Sequence, residues 1–581
     1  MKSLYERDEC KLANIEEIFK VQKEYKMNNE HKGDTGHNGM VASAIKEASK
    51  AGNKMLEDGG NAFDALIAVQ LSLAVVEGMN TGIGAGGFIL VYDNENKETK
   101  VVNAHSRAPA GLTKDCFIDD DGEPVPFVER TKSARSIGVP GIMKGLEYLH
   151  EHYATLPLEQ LIDPAITLAK NEFRVNSLWD RTIQLFKHRL GETGRQKFVP
   201  DGKPLREGDS ITQLDLAKTL EIIREKGFNA VYEGEIADAI VDTVEAHGGL
   251  LNHQDLLNYH VKIDEPLWST YKDYKIAFPA PPSGGGVAVA QQLKIFEELD
   301  ISQYEPHSWE KYHLVSQTLQ LALADRQAHI GDPKFHHLPM DGLLHPEYIK
   351  ERCRQISLDK NIAKVDPGDP WAYQESKEGK IQTNHYEDNE GYETTHFTAV
   401  DKWGNIASCT SSIERIFGSG IMVPHYGFLL NNDLTDFQAV PGQVNEPNGS
   451  KYPTSSKCPT IMFHDDKPFF TLGSPGGPTI VASVAQTILN VIEYNMPLED
   501  ALKEPRLYTT PDLETQWEDG IDEETLQKLE SLGHEFNQSF RVESADTRLG
   551  DVQAIMIDQT NGQLLYGVAD SPRPGDARGL K

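Results

Sequence analysis

Chemistry is concentrated after one junction, Glu393-Thr394-Thr395-His396, where an acidic, polar run gives way to strand-like sequence. If the chain were cut before Thr394, that threonine would carry a free α-amine beside its own hydroxyl. Such an amine can take the hydroxyl proton, which makes a nucleophile without a separate histidine. The residues that follow offer what that nucleophile would need. Thr410, Ser411 and Ser412 supply hydroxyls at a strand end, and Glu414, Asp433 and Asp436 supply carboxylates suited to a substrate ammonium. Ser455 and Ser456 are suited to a carboxylate, and Gly473-Ser474-Pro475-Gly476-Gly477 leads into a helix. A Pro-Gly-Gly turn at a helix start presents backbone N–H groups and the positive end of a dipole, a natural oxyanion or anion site. Taken singly, each piece also fits a hairpin turn or a helix cap; together they gather downstream of one Thr-Thr pair.

The elements around them follow from patterning. His396, Thr398 and Val400 alternate with Phe397 and Ala399, which predicts a strand. Residues 359–392, rich in Gly, Asp, Glu, Lys and Pro, read as a mobile linker ending at Thr394. Upstream, a strand at 40–42 precedes helices at 45–56 and 63–77, then a glycine run at 82–87 and a strand at 88–92. Helical patterns cover 145–152, 158–170, 217–225, 236–247, 287–299 and 309–329, with a strand at 274–278. Strands dominate after the linker, at 397–401, 406–410, 428–430, 461–463, 469–472, 552–557 and 564–568, with helices at 480–494 and 522–532. Sheet-forming sequence on both sides of the seam, flanked by helices, implies one layered α/β body. Gly82, Gly84 and Gly87 formally match a dinucleotide fingerprint. That fingerprint needs a strand entering and a helix leaving, and here the order is reversed. Close backbone packing, or backbone lining a site, fits the run better.

Composition narrows the partners. The 581 residues carry a net charge of −32 and a pI near 5.0, so nucleic acid and anionic membrane are not expected partners. The five cysteines are scattered without a CxxC pair, which suggests neither a disulfide framework nor a zinc site. The histidines lack metal-ligand spacing, so no metal and no cofactor is expected. The N-terminus has charges throughout and no apolar signal core, and the longest apolar stretch, 66–76, is short for a membrane span. The expected compartment is the cytoplasm.

The chain resembles the γ-glutamyltranspeptidase family of N-terminal-nucleophile (Ntn) hydrolases from Gly39 to its end. The stretches that carry the likeness are 59–62, 82–87, 136–141, 281–286, 324–326, 331–333, 394–396, 430–432, Ser455-Ser456 and 473–477. The resemblance implies a four-layer αββα sandwich and a precursor that cuts itself between Glu393 and Thr394. A large subunit, 1–393, and a small subunit, 394–581, would result. Thr394 would then attack a small-molecule γ-glutamyl amide and pass the acyl group to water or an amine. By the same resemblance Ser412 stands where the family has a second threonine hydroxyl, and Gly476 and Gly477 stand at the oxyanion hole. Ser455 and Ser456 match positions for the substrate α-carboxylate; Glu414, Asp433 and Asp436 match those for its α-amine. One departure stands out. The family's carboxylate-binding arginine falls at His105, with Arg107 two residues on, and imidazole does not replace a guanidinium fork. Either Arg107 takes the role or the acyl group differs, as in a related acylase on a glutaryl amide of the cephalosporin type. An uncut binding protein that keeps only the fold, and an NAD-dependent oxidoreductase built on the glycine run, are the alternatives from other classes.

Overall fold

We describe a computed structural model, which covers residues 15–25, 32–376, 393–512, 514–536, 541–542, 548–560, 562–570 and 573–581. Two seven-stranded sheets form its centre. The first runs Gly33–Gly36, Leu564–Ala569, Gln553–Asp558, Lys467–Gly473, Thr460–His464, Tyr274–Phe278 and Leu267–Tyr271. The second runs Asp576–Leu580, Gly39–Ser43, Thr395–Asp401, Ile406–Ser412, Gly86–Asp93, Glu98–Ala104 and Lys262–Asp264. Neighbouring strands within both are antiparallel.

Three apolar layers show why the sheets stack. Met40, Phe88, Leu90 and Val400 of the second sheet bury against Ile461, Phe463, Ile555 and Leu565 of the first. The outer face of the second sheet, with Phe397, Ala399 and Ile89, packs under the helices Lys46–Glu57, Ala62–Val76 and Ile142–His152. The outer face of the first, with Ile276, Phe470 and Leu472, packs under Gly284–Glu298, Trp309–His329 and Thr479–Ile492. The result is the αββα sandwich that the resemblance implied. The alternation in Thr395–Asp401 works as its period predicts, with Val400 facing the sister sheet and Phe397 and Ala399 facing the helices.

Strands from both sides of the 394 junction interleave in each sheet, so neither side could close a core alone. The expected strand at 428–430 is absent. Leu429 and Leu430 make only isolated bridges, to Met422 and Gly84. Gly84 is forced there, because a Cβ would lie 2.2 Å from the Leu429 carbonyl oxygen. The glycine run is thus a close-packing device and no dinucleotide loop.

The linker expectation is corrected in part. Residues 359–376 are docked: the Asn361 amide donates to the Leu532 carbonyl at 2.7 Å, the Gly368 amide donates to Asp325 at 2.8 Å, and Trp371 is buried. The remainder, 377–392, lies outside the described residues, as do 1–14 and 26–31. Among the described residues no helix is long and apolar enough to cross a membrane.

Candidate active site

Sheet register puts the hydroxyls together. Thr395 pairs with Ser411 across the two central strands, and extending that register by one residue sets Thr394 opposite Ser412. The Thr394 hydroxyl lies 3.2 Å from the Ser412 oxygen, and Ser412 donates to the Glu393 carbonyl oxygen at 2.8 Å. The Thr394 hydroxyl itself is 2.6 Å from that carbonyl oxygen. One hydroxyl hydrogen cannot serve two acceptors. In the arrangement that satisfies both groups, Thr394 donates to Ser412 and Ser412 to Glu393, which polarises the carbonyl and leaves a Thr394 lone pair beside it. The Glu414 amide donates to the Ser412 oxygen at 2.9 Å and completes the chain. Glu414 follows with φ +77°, a left-handed conformation costly for a non-glycine residue.

Arg573, which the sequence analysis did not single out, holds the other end of Thr394. Its guanidinium donates to the Thr394 carbonyl at 2.8 Å and to Glu77 at 2.9 Å, and lies 3.4 Å from Asp551. Burial raises the carboxyl pKa of Glu77, Glu393 and Asp551; the Arg573 charge opposes that rise at all three. Nothing in the local sequence marked Arg573, because its contacts are all remote in the chain.

Gly476 and Gly477 head the helix Thr479–Ile492 as expected, with φ +125° and +55°. Both values favour glycine. Gly476 and Glu393 line one cavity of about 390 Å³, together with Thr479, Gly550 and Arg573. The scissile region and the expected oxyanion site therefore share an opening.

The carboxylates assemble from loops. Asn431 is the brace: its amide donates to the carbonyls of Gly84 and Gly138, at 2.8 and 2.9 Å, while its oxygen accepts from the Gly138 and Asp433 amides. Asp433 also accepts from the Ser106 hydroxyl. Glu414, Asp433 and Asp436 are all buried and offer oxygens within 4.8 Å of one another. Among the described residues they are the one group of His, Cys, Asp or Glu that could share a cation. A substrate ammonium or a metal ion would meet the same three charges.

The Ser455-Ser456 turn is docked onto the glycine-rich helix start that the sequence marked at 281–286. The Gly284 amide donates to the Ser455 carbonyl at 2.7 Å, and a Cβ on Gly285 would lie 2.3 Å from the Ser456 carbonyl oxygen. Asp332 steadies the approach by accepting from the Tyr452 amide at 3.0 Å. Lys457, also missed, is the next residue. It is buried, with its ammonium 3.4 Å from Asp433 and 3.7 Å from Glu414. A lone lysine between paired serines and an apolar strand was the available signal.

The two candidates for the carboxylate cation part company. His105 is fully buried and packs against Phe88 in a tilted arrangement, 5.3 Å between ring centres. Burial pushes its pKa well below the ordinary histidine range, and the Lys457 charge pushes the same way, so the ring is neutral. Arg107 donates to the Asn258 carbonyl at 2.9 Å and lies over the Tyr259 ring at 5.2 Å.

Comparisons with known proteins agree with this geometry. A family model described as Gamma-glutamyltranspeptidase matches residues 48–580. The Glutathione hydrolase proenzyme of Bacillus subtilis (strain 168) is 47% identical over 94% of this chain and 92% of its own length. The protein of the same name from Escherichia coli (strain K12) is 34% identical over 93% and 91%. The Acylase ACY 1 proenzyme of Pseudomonas sp. (strain SE83) is 32% identical over 88% and 90%. Among solved structures, a cephalosporin acylase from Bacillus halodurans superposes with a TM-score of 0.84 at 25% identity, over 96% of this chain and 99% of that one. Helicobacter pylori gamma-Glutamyltranspeptidase gives 0.54 at 33% identity, over 57% of this chain and 95% of that one. With a family match along most of its length and relatives at these identities, the chain belongs to the γ-glutamyltranspeptidase family of Ntn-type enzymes.

Proposed function

We propose that this chain is the precursor of a γ-glutamyl amide hydrolase and transferase that cuts itself between Glu393 and Thr394. The observation that carries the reading is the pair of hydroxyls, Thr394 and Ser412, converging on the Glu393 carbonyl. In the first stage the Thr394 oxygen bonds to the Glu393 carbonyl carbon. Ser412 steadies the charge that develops on the carbonyl oxygen. The C–N bond then breaks, the nitrogen takes the hydroxyl proton, and an ester links Glu393 to Thr394. Water hydrolyses the ester, leaving a carboxylate on Glu393 and a free amine on Thr394.

That amine is the base for the second stage. It takes the proton of its own hydroxyl as the oxygen attacks the γ-carbonyl of the donor. The Gly476 and Gly477 amides receive the oxyanion, and the protonated amine returns the proton to the leaving nitrogen. Water or an amine acceptor then takes the acyl group from Thr394. Glu414, Asp433 and Asp436 hold the donor's α-ammonium, and Ser455 and Ser456 its α-carboxylate. Self-cleavage on this reading yields the subunits 1–393 and 394–581. No step calls for a metal or cofactor.

A second reading has one specific observation in its favour. The neutral, buried His105 supplies no cation for an α-carboxylate, which leaves room for a different acyl group such as glutaryl. Release of the anilide from γ-L-glutamyl-p-nitroanilide and from glutaryl-p-nitroanilide separates the two. The γ-glutamyl reading expects the first to be the better donor by kcat/KM. Release from the glutaryl compound with none from the γ-glutamyl compound would overturn it.

A further inference from the structure

The α-carboxylate of a γ-glutamyl donor needs a cation, and neither candidate from the sequence provides one in this structure. His105 is neutral, and Arg107 is committed to Asn258 and Tyr259. Lys457 remains. Its side chain is 3% exposed, so its ammonium has lost nearly all hydration. A lysine in that state is expensive unless it is paired, and here it is paired with Asp433 and Glu414. An apolar residue would have avoided the cost altogether.

The ammonium of Lys457 is part of the recognition corner. Three carboxylates, Glu414, Asp433 and Asp436, converge, and one ammonium faces two of them. The lysine therefore sits against the carboxylates that match the donor's ammonium-binding positions. The protein's own ammonium, 3.4 Å from Asp433 and 3.7 Å from Glu414, belongs to the residue that directly follows Ser455 and Ser456. The Lys457 amide donates to the Ser455 hydroxyl at 3.2 Å, and the Ser283 hydroxyl donates to the Lys457 carbonyl at 2.8 Å. Lysine, serine pair and glycine-rich helix start are therefore one tied unit. The Lys457 charge is also felt at the buried His105 ring, which sets the lysine in the corner where the departure from the family pattern falls.

We propose that Lys457 is the specificity-determining cation of this site: its ammonium binds the donor's α-carboxylate beside Ser455 and Ser456, while the carboxylates take the donor's α-ammonium. The class of donor is an acyl group bearing adjacent carboxylate and ammonium groups, as in γ-L-glutamyl compounds. The proposal rests on the γ-glutamyl reading above.

Three anilides dissect it. γ-L-Glutamyl-p-nitroanilide carries both groups, 4-aminobutyryl-p-nitroanilide lacks the carboxylate, and glutaryl-p-nitroanilide lacks the ammonium. Wild type, Lys457→Met and Lys457→Arg are compared on all three. Weak donors are followed as single-turnover acylation at high enzyme concentration. Self-cleavage on a denaturing gel selects preparations that have folded. Lys457→Met is expected to lose about 100-fold in kcat/KM on the γ-glutamyl donor, mainly through KM, the order expected for a lost hydrogen bond to a charged group. On the 4-aminobutyryl donor the two proteins should agree within about 3-fold. Lys457→Arg should recover most of the γ-glutamyl loss.

Equal losses on the γ-glutamyl and 4-aminobutyryl donors would overturn the proposal, because Lys457 would then serve only to hold Glu414 and Asp433. A gain on the γ-glutamyl donor in Lys457→Met would also overturn it, since the lysine would be occupying the ammonium's place. Failure of Lys457→Met to self-cleave counts against a donor-specific role even if Lys457→Arg is active, because self-cleavage involves no donor carboxylate. Failure of both variants to self-cleave counts against a donor-specific role. Failure of the γ-glutamyl reading itself shows separately, in wild type alone, as turnover of the glutaryl donor only.

Discussion

The nucleophile corner and the recognition corner of this site are built by different means. Thr394 and Ser412 face one another because two central strands pair in a fixed register, and sheet geometry leaves them nowhere else to go. Glu414, Asp433, Asp436, Ser455 and Lys457 meet because loops from several parts of the chain are pinned together. The pins are Asn431, Ser106 and the glycines at 84, 138, 284 and 285. The first kind of site resists change, since slipping a strand by one residue would turn Phe397 and Val400 to the wrong faces. The second kind can exchange one cation for another without disturbing the sheets. That difference explains how the Thr394 and Ser412 hydroxyls can meet by register while His105 departs from the family's pattern.

The contrast can be broken most severely at its centre. Thr394→Ala should abolish both self-cleavage and amide turnover, leaving one full-length band on a denaturing gel and no anilide release. Gly285→Ala strikes the recognition corner alone. Its methyl would press on the Ser456 carbonyl, a fixed backbone atom, at a cost of ~2 kcal/mol and therefore about 30-fold in kcat/KM on the γ-glutamyl donor. Self-cleavage should survive, because the strand register is untouched. Ser412→Ala removes a donor from the Glu393 carbonyl and should slow self-cleavage about 10-fold, with Ser412→Thr restoring it. Time courses on denaturing gels measure both.

A further effect concerns pH and stability, not turnover. His396 stands on the nucleophile strand, and burial alone lowers its pKa to about 3. In the unfolded chain it titrates near 6.5. Its neutral form therefore contributes stability that is fully present above about pH 6.5 and is lost as pH falls toward the folded value. Against His396→Asn, the wild type should lose up to ~2 kcal/mol of relative stability between pH 7 and pH 5, measured by denaturant unfolding. No change in the difference would mean that the ring is hydrated in the folded chain.

The legible parts of the molecule were those with local periodicity. The helices at 158–170 and 309–329 and the strand at 274–278 fall where patterning set them, and the Thr394 strand faces the way its alternation requires. Edge and partner strands were harder. Glu98–Ala104 opens with alternating charges, and Gly33–Gly36 has no apolar face of its own; both exist only because a neighbouring strand supplies the pairing. Leu429 and Leu430 looked like strand and make only isolated, close-packed bridges. In the site, residue types along one segment announced the hydroxyls, carboxylates and glycines. Arg573 was silent because its contacts with Glu77 and Thr394 come from positions far along the chain, and Lys457 left only the weak signal of a lone lysine beside paired serines.

The central claim is that this chain makes its own nucleophile by cutting before Thr394, and intact-mass analysis of purified wild-type protein tests it most directly. After incubation two polypeptides are expected, the second having the mass of residues 394–581 with an unmodified threonine at its N-terminus. A single uncut chain that nonetheless turns over γ-glutamyl anilide, or a cut at any other bond in the active protein, would contradict it.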